Sequence, residues 1–258
     1  MTYPINYPTP QNANFQPFYG GGSSFDWVKP VGVTIVRMLL IGGGAGGRNG
    51  TTSAGGTGGG SGAITSWIGP AMFIPDILRV SLGAGGAAAS AGGATSIIYQ
   101  CQTSGTGYTL LTANGAASQT AGTASSNNFF GASGIFRSVA GQAGSSQNKN
   151  VSASTSTFLS GGAGGSNVGS GYRVLSKYGY PRLEGVTGGA GFDGDSGWFQ
   201  MQPIMFGYGG NSGGYNSGGT GGTGGNGGIG CGGGGGGRGT TGGTGGRGGD
   251  GAVFIWSW

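Results

Sequence analysis

GGTGGTGGNGGIGCGGGGGGRGTTGGTGGRGGD, Gly218 to Asp250, divides into eleven triplets. Gly holds the first place of every triplet, and the second place of all but those with Cys231 and Thr240. A flexible linker needs no such phase. Polyproline II geometry has three residues per turn, a rise of about 3.1 Å per residue and no internal hydrogen bonds. With Gly at two places of three, two faces of such a helix carry no side chain, so neighbours can approach to backbone contact. Every buried N–H and C=O must then find its partner on a neighbouring rod. The third residue, here Thr, Asn, Ile or Arg, points outward or into a side groove. Collagen is excluded, because no Pro falls in any triplet.

Ordering Gly costs more backbone entropy than ordering any other residue, so only many mutual hydrogen bonds offset it and several tracts must pack together. Further glycine-rich tracts lie at 42–47, 55–62, 83–93, 161–165, 185–197 and 207–219. Turns near Cys231 and Thr240 are expected to break the last tract into two or three antiparallel rods.

Gly supplies 71 of the 258 residues, and charged residues only 7%. A disordered chain normally combines low hydrophobicity with high net charge. Here charge is sparse, and five Trp, ten Tyr and twelve Phe offer material for a core. The apolar residues gather in short runs. Val33–Ile41 is rich in β-branched residues, apolar on both faces, and stops at a Gly cluster, which predicts a strand buried on both sides. Further strands are expected at Ala63–Ile68, Ile77–Leu82, Thr95–Cys101, Tyr108–Thr112 and Ala252–Trp258. Leu78, Val80 and Leu82 alternate with Arg79 and Ser81, the period of a half-buried strand. Phe254, Trp256 and Trp258 share one face. No segment shows a 3.6-residue apolar repeat. The class is all-β with almost no α-helix.

Residues 1–24 are polar, aromatic and Pro-rich. They read as an extended N-terminal arm before a single domain over 25–258. Its aromatic residues Tyr3, Tyr7, Phe15, Phe18 and Tyr19 are candidates for attachment to a partner; an unstructured terminus is the alternative. The opening residues lack the basic start and apolar stretch of a secretory signal. No apolar run reaches the length of a membrane span. Cys101 and Cys231 read as free thiols of a protein made in a reducing cytosol.

The absence of His removes a Ser-His-Asp triad, a His base and a His metal ligand. No Lys stands in a phosphate-loop pattern, and G-x-G-x-x-G matches follow from composition alone. FDGDSG (192–197) spaces two Asp as some calcium loops do, but Ile204 stands where the bidentate Glu belongs. Asp76, Glu184, Asp193 and Asp195 are the carboxylates a glycosidase reading would use. The chain reads as non-enzymatic, with no cofactor and no metal. Its net charge of +5 suits anionic partners such as phosphate or acidic glycans.

One ordered set of motifs resembles a known group. Trp27, Pro30, Gly32, Val33, Val36, Leu39 and Gly42–Gly44 are followed by a Gly-rich loop, LRVSLGAGG (78–86), GGATSI (92–97) and GGDGAVFIW (248–256). This order resembles glycine-rich domains of phage and other viral tail-fibre and receptor-binding proteins, over roughly 25–115 and 218–258. The triplets are similar to the polyglycine II bundles of T-even-type long-tail-fibre adhesins. The resemblance implies a small β-sandwich base with polyglycine II rods and long loops, displayed on the virion surface to recognise a host glycan or protein.

If the tracts are scaffold, recognition falls to the residues between them. The candidates are Tyr172, Arg173, Lys177, Tyr178, Tyr180 and Arg182, then Trp198, Phe199, Met201, Met205, Phe206 and Tyr208. Tyr and Trp give large contact area at low entropy cost. The alternative for both segments is a second small core. A polar loop over Ser118–Thr157 is a third candidate segment. The expected partners are other virion proteins, through residues 1–24, and a host surface molecule; neither membrane insertion nor nucleic acid is expected. A trimer suits a fibre and a monomer a fibre tip. A capsid decoration or head-fibre protein is the nearest alternative. A Gly/Arg RNA-binding protein, using Arg48, Arg238 and Arg247, is the alternative of another class.

Overall fold

A computed structural model describes residues 13–100, 107–125, 134–152, 158–169, 171–175, 191–201 and 205–258. Two antiparallel sheets form a sandwich. The first contains β1 (Asn14–Phe18), β3 (Ile35–Ile41), β4 (Ile64–Pro70), β8 (Ile135–Val139) and β15 (Ala252–Ser257), in the order β1-β15-β3-β4-β8. The second is β2 (Ser24–Val28), β5 (Ile77–Ser81), β6 (Thr95–Gln100) and β7 (Gly107–Ala113), in that order. Six short strands make three two-stranded pairs: β9 (Val151–Ser152) with β10 (Val174–Leu175), β11 (Phe199–Gln200) with β12 (Phe206–Gly207), and β13 (Asn216–Thr220) with β14 (Gly239–Thr241). The only helical element among the described residues is the 3-10 turn Ala71–Phe73.

The core between the sheets contains Trp27, Val36, Met38, Leu40, Trp67, Leu78, Val80, Ile97, Leu111, Val253 and Ile255. β3 is buried on both faces, as its sequence predicts. Leu39 and Ile41 point the other way, with Phe254, into a second cluster. Leu78 and Val80 face in, as their alternation predicts. β15 pairs with both β3 and β1, in register Phe254↔Leu39 and Pro17↔Phe254. Pro17 is tolerated because β1 is an edge strand, where a missing donor costs little. Residues 14–18 of the segment read as an arm are thus a strand of the base.

The glycine tracts continue directly from these strands. Residues 42–50 leave β3, 54–62 run into β4, and 242–250 run into β15. Hydrogen bonds between rods repeat every three residues: Gly44, Gly47 and Gly50 donate to Gly249, Gly246 and Gly243 at 2.8–2.9 Å. That period is the signature of three residues per turn. The triplet region forms rods 221–229, 230–238 and 242–250, with turns at 229–230 and 239–241, close to where the breaks in phase predict them.

Rod 230–238 lies at the centre of six others. Gly233 and Gly236 donate to Ala45 and Arg48, and their carbonyls accept from Gly59 and Gly56. Gly234 and Gly237 donate to Gly225 and Gly222, and accept from Gly246 and Gly243. Gly232 and Gly235 donate to Ser160 and Ala163, and accept from Gly210 and Gly213. These twelve bonds measure 2.7–3.2 Å. Each face of the three-fold helix thus serves two neighbours, and no backbone group of 232–237 is left over. This is why the six glycines run unbroken: all three faces are contact faces. On the peripheral rods one face meets solvent, and there Thr223, Asn226, Thr244 and Arg247 are exposed.

Candidate recognition surface

The rods are about nine residues long, so they carry their turns about 28 Å beyond the sandwich. Four segments meet at that far end: Thr51–Ala54, Ser166–Gly169, Tyr215–Thr220 and Arg238–Thr241. The Thr51 hydroxyl accepts from the Ala54 N–H at 2.9 Å and the Ser53 N–H at 3.2 Å, closing a tight side-chain turn. The Asn167 side-chain oxygen accepts from the Gly55 N–H. Tyr215 N–H donates to Gly169 O at 3.1 Å and Asn216 N–H to Arg238 O at 3.0 Å. β13 and β14 run parallel across the tip.

Arg238 is central to this end. Its Nε donates to Thr52 O at 3.1 Å, and its guanidinium lies over the Tyr215 ring, 5.4 Å from the centroid. Both contacts fix the cation beside exposed hydroxyls: Thr51, Thr52, Ser53, Ser217, Thr240 and Thr241 are all exposed. Arg238 is the sole charged residue of the four turns. Val168, and Phe192 on an adjoining segment, add exposed apolar surface. A held cation, an aromatic ring and hydroxyl donors suit a hydroxylated or anionic ligand.

The candidates named from sequence fall elsewhere. Trp198, Phe206 and Tyr208 form an aromatic cluster with centroids 5.1–5.3 Å apart, packed on Val151, Ala163, Val174 and Tyr172. Phe199 stacks on Phe254 at 6.3 Å, and Met201 and Met205 join the cluster on the outer face of the first sheet. Among the described residues of 198–208, Phe206 and Tyr208 are buried, while Trp198, Phe199, Met201 and Met205 are half-buried against the two clusters. Tyr172 N–H donates to Ser212 Oγ at 2.6 Å, and Arg173 N–H to Asn150 Oδ1 at 2.9 Å. Lys177, Tyr178, Tyr180 and Arg182 lie outside the described residues, as do Tyr3 and Tyr7. Phe15 stacks on Trp256 at 5.1 Å, Phe18 packs on the sandwich core, and Tyr19 meets Phe254 edge-on at 5.6 Å. Burial raises the Tyr19 phenol above its ordinary range.

The paired Asp residues of FDGDSG belong to the bundle. The Asp193 carboxylate accepts from the Thr223 N–H at 2.6 Å. Among the described residues no group of three His, Cys, Asp or Glu comes together. Cys231 is a buried free thiol, pushed up to about 12 by burial.

Sequence reasoning did not single out Tyr215 and Val168 at the tip or Phe192 beside it, and named Arg238 only within the Gly/Arg RNA-binding alternative. One signal for Arg238 was present: it ends the longest all-glycine run, just before the phase break at Thr240.

The family model described as "Glycine-rich domain" matches residues 20–257, nearly the whole chain. The chain belongs to this glycine-rich domain family. The match spans the sandwich and the bundle together, so in this glycine-rich domain the strands and the rods belong to one unit. No curated protein matches the chain.

Proposed function

We propose that this glycine-rich domain is a non-enzymatic virion surface protein, a phage fibre or adhesin subunit that presents a recognition tip to a host surface molecule. The observation that carries the reading is the central rod with its six hydrogen-bonded neighbours. Such a bundle is a stiff spacer, since every backbone group of its centre is already bonded. It sets a small polar tip about 28 Å from a base that can be anchored. The tip chemistry favours a glycan: Arg238 on Tyr215 for an anionic or ring-bearing sugar, and the hydroxyls of Thr51, Thr52 and Thr240 for its polar edges.

The test is binding of fluorescently labelled full-length protein to a panel of bacterial strains, by flow cytometry, with Arg238→Ala and Tyr215→Ala in parallel. Retention on some strains, at least tenfold weaker for both variants and unchanged in their melting temperature, supports the adhesin. Equal retention of wild type and variants removes the tip from recognition. Binding to no strain, together with immunogold labelling of capsid faces, supports the decoration protein instead.

A further inference from the structure

An asparagine followed by glycine is open to attack on its side chain by the next backbone nitrogen, because Gly has no Cβ to shield that nitrogen or restrict its approach. The chain holds three such pairs: Asn49-Gly50, Asn114-Gly115 and Asn226-Gly227. Their local sequence is alike; their neighbours are not. At Asn49 both reacting groups are held. The Gly50 N–H, which would attack, donates to Gly243 O at 2.8 Å, and Asn49 Oδ1 accepts from Gly245 N–H at 2.9 Å. At Asn226 the same two bonds recur: Gly227 N–H donates to Arg247 O at 2.8 Å, and Asn226 Oδ1 accepts from Arg247 N–H at 2.9 Å. At Asn114 neither group is held. The Gly115 N–H and Asn114 Oδ1 have no hydrogen-bond partner among the described residues. The flanking backbone is nonetheless fixed, since Asn114 O accepts from Ala63 N–H at 2.8 Å and Ala116 N–H donates to Gly43 O at 3.0 Å. The side chain is tied by its amide nitrogen alone, which donates to Thr123 O at 3.0 Å and Thr123 Oγ1 at 3.2 Å in an exposed place. Water replaces such exposed bonds at little net cost.

We propose that Asn114 is a site of spontaneous deamidation in the folded protein, and that the bundle protects Asn49 and Asn226 from the same reaction. The Gly115 nitrogen adds to the carbonyl carbon of the Asn114 side chain and gives up its proton. The side-chain amide nitrogen leaves as ammonia, and a five-membered succinimide remains. Water opens that ring at one carbonyl or the other, to aspartate or to isoaspartate, with no oxidant or reductant involved. The product alters the hairpin that begins at Asn114. Its carboxylate has no donor to offer Thr123 O, and isoaspartate lengthens the main chain by one carbon beside the bond from Ala63. At Asn49 and Asn226 the reaction has first to break two bonds between rods, which the packed bundle does not release singly. The inference concerns the chain's own chemistry and stands whether or not the protein belongs to a virion.

The experiment is incubation of the full-length protein at pH 8, below its melting temperature, with guanidinium-unfolded protein alongside. Peptide mass spectrometry then follows the three Asn–Gly pairs in each sample. In the folded chain Asn114 is expected to convert at least tenfold faster than Asn49 and Asn226, while in guanidinium the three rates should agree within about threefold. Asn114→Gln should remove most of the isoaspartate that the folded protein forms, as read by methyl transfer from an isoaspartate-specific methyltransferase. Conversion of Asn114 no faster than the other two in the folded chain overturns the proposal. So does a tenfold lead of Asn114 that persists in guanidinium, which would assign the difference to local sequence rather than to the bundle. Isoaspartate formed by Asn114→Gln at the wild-type rate overturns it as well.

Discussion

Glycine acts in the bundle through what it lacks. The rod glycines are not there for backbone freedom, since Gly230 is the sole residue of the triplet region with positive φ, at 67°, and it makes the turn into the central rod. They are there for close approach: a Cβ built on any of Gly232–Gly237 falls within 3.0 Å of a neighbour's backbone oxygen. Gly234→Ala would drive its methyl into the Asn211 carbonyl, and the rod cannot shift without breaking bonds to six neighbours. It should cost roughly 3 kcal/mol or more in urea unfolding. Gly218→Ala, with open space around its Cβ, should change the midpoint little. Cys231 is the one side chain at a second place that the bundle's base accepts, because it lies against Leu159 and Phe254 rather than between rods. Its thiol, at an ordinary 9.0 when unfolded, stays protonated to about 12 in the fold. Thiol reagents at pH 8 should therefore label it only after unfolding. Its contribution to stability is full below pH 9 and is lost as pH rises toward 12, because there the unfolded chain ionises first.

At the scale of the element, a rod on the bundle's surface has N–H groups that face no other rod. Short polar side chains satisfy them. Asp193 serves Thr223, Asn49 Oδ1 accepts from Gly245 N–H at 2.9 Å, and Asn226 Oδ1 accepts from Arg247 N–H at 2.9 Å. The third place of a triplet thus does more than point outward, since Asn226 on one rod caps its neighbour. Asp193→Ala should lower stability by about 1 kcal/mol, while Asp193→Asn keeps the acceptor and most of the stability, as read by thermal melting. This role was not legible in FDGDSG, whose two Asp have the spacing of some calcium loops without the Glu that completes one. Capping depends on which rod lies alongside, and rods far apart in sequence become neighbours only in the bundle.

For the whole molecule, sandwich and bundle are one structure because the strands become the rods. β3, β4 and β15 pass into residues 42–50, 54–62 and 242–250 without an intervening linker. Unfolding should therefore be a single transition, with tryptophan fluorescence, reporting Trp27 and Trp67 in the sandwich, and far-ultraviolet dichroism coinciding; two separated transitions would show that the bundle melts alone. The sequence by itself determined six of the nine sandwich strands, from their apolar periods, and the rods and their breaks, from the triplet phase, but not β1, β2 or β8, the last lying inside the segment 118–157 that reads as a polar loop. Both are local properties, written in consecutive residues. Only the tertiary structure decided that rod 230–238 is central, that Trp198, Phe206 and Tyr208 turn inward, and that Arg238 and Tyr215 meet at the tip. A glycine rod carries no side chains to specify its neighbours, so the arrangement is set by where the sandwich strands deliver each rod. Aromatic segments pack wherever that arrangement leaves apolar surface uncovered.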